Sequence, residues 1–189
     1  MPKIEAPTVA EHRAMRRRAV IHHAMELLVS EGPAGLTPAA VAARTGLART
    51  SVYQYFPTRK DLLGAAVEEL FVASQASVTE ALRQAGADAP TRLSAYVRAT
   101  LETARRGHNP TRLVAVELSD ASRVRLRELH EQAAAPLREL VAQAGAADVE
   151  TTAALAQGVI NGAVALVEHG ADLDHVTAET LRFLHRALD

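Results

Sequence analysis

Leu36-Thr-Pro-Ala-Ala-Val-Ala-Ala-Arg-Thr-Gly-Leu-Ala-Arg-Thr-Ser-Val-Tyr-Gln-Tyr-Phe56 reads as two short helices joined at Thr45-Gly46-Leu47, the pattern of a helix-turn-helix. Thr37 is a good N-cap, and Pro38 suits a first helical position that has no use for an amide hydrogen. Val41 and Ala42 supply an inward stripe. Gly46 can take positive φ at the end of the first helix, and Leu47 follows as an apolar plug between the two helices. The second helix begins near Ala48. Val52 and Phe56 lie four apart on it and face inward, Phe56 joining the core, which leaves Arg49, Thr50, Ser51, Tyr53 and Gln54 on the remaining surface. Side chains of this kind reach base edges and phosphates when such a helix enters the DNA major groove.

Upstream, residues 1 to 9 carry Pro2 and Pro7 and read as a flexible arm. From about Ala10 to Ser30, Ile21, Ala24, Met25 and Leu28 recur at helical spacing, and Glu31-Gly32-Pro33 is a strong stop. The Arg16-Arg17-Arg18 run points three ways round this helix, so at most two of the three can face DNA. Downstream, Thr58 caps a long helix to about Gln84 in which Leu62, Leu63, Ala66, Val67, Leu70 and Phe71 form one apolar face.

Beyond it the pattern predicts helices from Pro90 to about Arg106, from Leu113 to Leu118, from Ala121 to Ala144, from Val149 to His169 and from Val176 to Leu188. Pro136 should kink or divide the third of these. The chain is thus expected to be all-α with about nine helices. Residues 10–57 form a three-helix DNA-binding head, and 58–189 form a body entered by the long helix.

Composition agrees with helices. Of 189 residues 48% are apolar and only 3% aromatic, dominated by Ala, Leu and Val, which suits close-packed helices better than a β-sandwich. There is no cysteine, so disulfides, thiolate metal sites and cysteine nucleophiles are excluded, and a reducing cytoplasm is the natural compartment. Charged residues break the first stretch before any apolar run, unlike a signal peptide. The longest apolar passage, Ala153 to Val167, is interrupted by Gln157 and Asn161 and is too short to span a bilayer. Nine basic and five acidic residues up to Gly64 give a net of +4, against twelve basic and seventeen acidic beyond it. A basic head on an acidic body is the arrangement expected when one end meets phosphate.

Arg49 is the best candidate for base contact, because its guanidinium matches guanine O6 and N7 together, and Thr50 and Ser51 can read a base edge or a thymine methyl. Tyr53, Gln54 and Tyr55 can donate to phosphate, and Thr37 can touch it through its hydroxyl and the open amides of its helix start. Enzyme chemistry finds no support. The eight histidines show no His-Glu-x-x-His pattern, no glycine-rich loop follows a strand, and no metal site or cofactor is expected. The alternative to a DNA reader is a helical protein-binding dimerisation module without DNA recognition.

The run from Gly46 through Leu-Ala-Arg-Thr-Ser-Val-Tyr-Gln-Tyr-Phe-Pro-Thr-Arg-Lys-Asp-Leu to Leu63 resembles the signature of the TetR family of bacterial transcriptional regulators, without a gap. The resemblance extends over about residues 13 to 70. Ala48 departs from it, standing where the family usually has a serine cap, which weakens the helix start by about 1 kcal/mol. The resemblance implies that Arg59 corresponds to a family lysine that meets the DNA backbone, with Lys60 an adjacent substitute. It also implies a homodimeric repressor released from a palindromic operator by a small-molecule effector, through a swing of the fourth helix.

A body cavity follows from the resemblance as well, with Glu117, Gln157, Asn161, Glu168 and His169 as polar anchors within apolar stretches. Each has a structural alternative: Glu117 can pair with an arginine, and Gln157 or Asn161 can bond across a subunit interface. The penultimate helix is apolar nearly all round. Its Gly158 and Gly162, four apart, permit close helix approach. With Val159, Leu166, Leu181 and Leu184 they form the candidate dimer interface, the alternative being packing inside one subunit.

Overall fold

The computed structural model describes residues 9–107 and 118–188. Among them there are eight helices and no strand: α1 (Val9–Gly35), α2 (Pro38–Thr45), α3 (Arg49–Tyr55), α4 (Arg59–Gln84), α5 (Ala89–Arg105), α6 (Asp120–Gln143), α7 (Val149–Glu168) and α8 (Leu173–Leu188). The additional short helix expected at Leu113–Leu118 lies, apart from Leu118, outside the described residues. The described chain forms two compact units, one within Met1–Glu69 and Arg112–Arg125, the other within Leu70–Thr111 and Leu126–Asp189. The division falls inside α4 and inside α6.

In the first unit local chemistry sets each helix boundary. Helical geometry in α1 breaks at Gly32, where φ is 71°, so the Glu31-Gly32-Pro33 stop acts through the glycine's left-handed backbone. Thr37 caps α2 by accepting a hydrogen bond from the Ala40 amide at 3.1 Å, and Pro38 occupies the first turn. At the other end Gly46 is left-handed, φ 67° and ψ 18°, and the Leu47 amide reaches back to the Ala42 carbonyl at 3.1 Å. That geometry satisfies carbonyls the helix would otherwise leave open.

α3 has no side-chain cap, because Ala48 offers no acceptor. α4 has a reciprocal one. The Asp61 amide donates to Thr58 Oγ1 at 3.1 Å, and the Thr58 amide donates to Asp61 Oδ2 at 3.2 Å, so two orphan amides are satisfied together. Val20, Leu27, Leu36, Val41, Val52 and Leu62 are almost wholly buried. Burying each such side chain contributes about 1.5–3 kcal/mol.

The second unit is built on α5, α7 and α8, which pack on one another, together with the later parts of α4 and α6. Its core holds Val97, Leu101, Leu137, Leu140, Ile160 and Leu184. Asp88 and Asp148 cap α5 and α7 by accepting from the Thr91 and Thr151 amides at 2.9 and 3.0 Å. These hydrogen bonds hold both carboxyls below the usual aspartate range.

Of the two outcomes expected at Pro136, division does not occur: α6 is continuous through it. The proline forfeits only the bond to the carbonyl four residues back, at exposed Gln132 where water can replace it. Buried Leu129 and Leu137 hold the helix on both sides of that point. No helix among the described residues is long and apolar enough to cross a membrane.

Candidate nucleic-acid interface and body cavity

α3 presents one buried residue, Val52, to the first unit's core, and Phe56 at its end is 5% exposed. Arg49, Thr50, Tyr53 and Gln54 are exposed, while Ser51 and Tyr55 are half-buried. The four-residue spacing of Arg49 and Tyr53 puts the guanidinium over the tyrosine ring, 5.7 Å from its centroid, and within 3.3 Å of its hydroxyl. The arginine is therefore steadied against Tyr53 on an exposed face rather than left to roam, which lowers the entropy lost when it docks. Of the arginine run on α1, Arg17 stacks over the Phe56 ring at 5.0 Å. It thereby covers the core residue that ends α3.

Arg59 does something the resemblance did not imply. Its Nε donates to the Leu36 carbonyl at 3.0 Å, and its Nη2 donates to the Pro33 carbonyl. The guanidinium ties the start of α4 to the turn between α1 and α2, so its expected phosphate contact competes with a structural bond. Lys60 is exposed on the next position, with Asp120 near enough to feel its charge. Thr37 is half-buried and its hydroxyl oxygen is engaged in capping. The donor hydrogen of that hydroxyl and the Ala39 amide remain available to an anion, since Pro38 has no amide hydrogen and Ala40's is engaged by Thr37.

The second unit contains a cavity of about 200 Å³. Gln157 and Asn161 line it and are joined, Gln157 Nε2 donating to Asn161 Oδ1 at 2.9 Å. Glu168 and His169 do not line it; His169 Nδ1 bonds the Ala165 carbonyl at 2.6 Å, at the C-terminal end of α7. Glu117 lies outside the described residues.

The sequence reading missed the groups that give this cavity its character. Phe71 and His130 meet edge to face with centroids 4.7 Å apart, and Tyr96, Thr100 and Thr103 join them on the wall. Burial pushes the Tyr96 phenol up to about 12, so it remains a neutral hydroxyl at physiological pH. The one available signal was three polar residues, Tyr96, Thr100 and Thr103, three or four apart on α5 and so on one helix face. Among the described residues no cluster could hold a metal ion.

A third feature is an uncovered apolar face. On α7, Leu155 is 69% and Leu166 57% exposed, and on α8 Phe183 is 60% exposed. Gly158 and Gly162 have nothing within 4 Å of where a Cβ would stand. Leu184 corrects the expected interface set: at 1% exposure it belongs to this chain's own core, because it lies one residue round the helix from Phe183. Val159 and Leu181 are partly buried against the same core.

Comparison with known proteins bears on both units. Residues 20–66 match the model for bacterial regulatory proteins, tetR family. No curated protein matches the chain by sequence. In fold, the chain is similar to a protein from Saccharomonospora viridis described as a transcriptional regulator, in complex with choline. The TM-score is 0.79 at 19% identity, over 91% of this chain and 96% of that one. A TetR-like transcriptional regulator from Rhodococcus sp. RHA1 aligns with TM-score 0.71 at 15% identity, over 97% and 98% of the two chains. The regulator FadR from Bacillus subtilis in complex with stearoyl-CoA aligns with TM-score 0.69 at 18% identity, over 88% and 96%.

Proposed function

We propose that this chain, a TetR-family regulator by its matched head and its fold, acts as a homodimeric repressor released from a palindromic operator by a small-molecule effector. The observation that carries the proposal is the pairing of an exposed Arg49, steadied by Tyr53 on a short helix, with an otherwise packed three-helix head. Arg49 reads guanine from the major groove, flanked by Thr50, Ser51 and Gln54, while Lys60, Tyr53, Tyr55 and Thr37 meet phosphates. Arg59 is secondary, since contact with DNA requires it to share its guanidinium with the Pro33 and Leu36 carbonyls.

Two observations support the rest. The face bearing Leu155, Leu166, Phe183 and the two open glycines is contiguous enough for α7 and α8 to pair with their copies, and a two-fold pair of heads matches two half-sites one DNA turn apart. The cavity accounts for effector response, and ligands accompany two of the similar folds: choline in one and stearoyl-CoA in the other. A ligand that binds one body conformation better shifts the population by its differential affinity, and about 1–3 kcal/mol gives a 5- to 150-fold change in operator affinity.

The test is selection of bound DNA from a random pool, followed by titration of the selected site. Arg49→Ala should relax selection at particular base pairs, costing about 1–3 kcal/mol at those positions. Lys60→Ala should weaken all sequences equally and reduce the salt slope by about 1. Recovery of no enriched site, or equal retention by both variants, refutes the proposal.

A further inference from the structure

The cavity of the second unit also carries information about what fills it, and this inference rests on the effector reading above. Its polar groups are unequal in what they have left to offer. Thr100 and Thr103 each spend their hydroxyl hydrogen on the carbonyl four residues back, Tyr96 and Ala99 respectively, both at 2.8 Å. Each hydroxyl keeps only lone pairs for a guest. His130 Nδ1 faces the Leu126 carbonyl at 2.8 Å. A carbonyl only accepts, so the hydrogen sits on Nδ1, and in the neutral ring Nε2 is a bare acceptor.

Tyr96 is the reverse case. It is 5% exposed and lines the cavity, and burial pushes its phenol up. Its hydroxyl has no hydrogen-bond partner among the described residues and faces the cavity, so its hydrogen is available to a guest. Asn161, whose Oδ1 is taken by Gln157, retains its amide hydrogens.

No Asp, Glu, Lys or Arg lines the cavity among the described residues, and its body is Phe71, Val78, Ala104 and Val164. Among the described residues, an isolated charge placed there would exchange its hydration for neutral dipoles and lone pairs alone, with no opposite charge to pair with. The volume of about 200 Å³ is somewhat larger than that of a cavity of about 150 Å³ that takes benzene. A guest of that size is much smaller than a drug-like molecule.

We propose that this cavity binds a compact uncharged hydroxyl compound of about seven to ten non-hydrogen atoms, whose hydroxyl donates to His130 Nε2 and accepts from Tyr96 while its apolar body lies against Phe71, Val78 and Val164. One hydroxyl satisfies a bare acceptor and an unused donor together. An apolar isostere engages neither, which is the basis on which a polar group discriminates between the two.

The experiment uses the full chain and four probes of similar size: 4-methylphenol, toluene, benzoate and choline, with binding followed by ligand-observed NMR. The expected order places 4-methylphenol about tenfold or more tighter than toluene, with benzoate and choline weaker than 4-methylphenol. His130→Phe preserves a ring beside Phe71 and should bring 4-methylphenol and toluene to equal affinity. Tyr96→Phe removes a single oxygen and should narrow the gap while leaving the helical spectrum unchanged. Equal binding of toluene and 4-methylphenol by the unmodified chain, tighter binding of either ion, or no binding of 4-methylphenol up to about 10 mM overturns the proposal. Operator recognition is read independently by the random-pool selection, so the loss of this inference and the loss of the DNA-binding reading are separate results.

Discussion

Gly64→Ala tests how closely α4 and the start of α6 are fitted. Gly64 is buried, and a Cβ built on it stands 2.0 Å from Ser122 Oγ and 2.7 Å from Ser122 Cβ. The hydroxyl can rotate away; the Cβ cannot. Ordinary carbon contact is about 3.5–4.0 Å, so the two helices must separate by about 1 Å. Overpacking of this kind costs about 1–3 kcal/mol, whereas alanine in a helix interior gains up to about 1 kcal/mol over glycine.

The two effects separate in a double-mutant cycle. On a Ser122→Gly background both obstructing atoms are gone and Gly64→Ala should be neutral or stabilising, so the coupling between the sites should be about 1–3 kcal/mol. Urea unfolding followed by helical circular dichroism, with all four proteins at one fixed concentration, measures it. A coupling below about 0.5 kcal/mol, the level of independent sites, would refute the close fit.

Two further outcomes follow from the described groups. Burial raises the Glu68 carboxyl above the ordinary glutamate range, against the opposing charges of Arg125 and Arg17; the folded chain then holds this proton more tightly than the unfolded one, so Glu68's stabilising contribution is present below the ordinary range and is lost as pH rises through the elevated folded value. Glu68→Gln should therefore flatten the fall in melting temperature from about pH 4.5 upward, and a profile parallel to the unmodified chain's refutes the assignment. Leu166→Glu with Phe183→Glu should convert the protein to a monomer in sedimentation while leaving helicity intact, because both side chains are exposed in the single chain; an unchanged sedimentation coefficient rejects this face as the dimer contact.

What the sequence made legible is what is decided within a few residues of chain. Thr37, Gly46 and Thr58 act through backbone groups three or four positions away, and such effects follow from residue type and spacing alone. The uncapped start of α3 at Ala48 was equally visible. Arg59 was not, because its acceptors are 23 and 26 residues away and exist only once α1, α2 and α4 have met.

The cavity shows the same divide. Gln157 and Asn161 stood out as polar residues in an apolar run, but His130 resembles any exposed helical histidine until Phe71, from another helix, is packed against it. Phe183 and Leu184 differ by one position, about 100° of helix rotation, and the amphipathic pattern did not resolve which of them faced inward.

The helix that offers Arg49 is seven residues long and gives only Val52 fully to the core. Its exposed positions, Arg49, Thr50, Tyr53 and Gln54, carry almost none of the fold's stability, since surface substitutions of this kind usually change it by about 0.5 kcal/mol or less. Selection can therefore rewrite these four letters without negotiating with the rest of the molecule. If this helix reads DNA as proposed, descendants could acquire new target sites in single steps, each viable, while the scaffold that displays them stays the same.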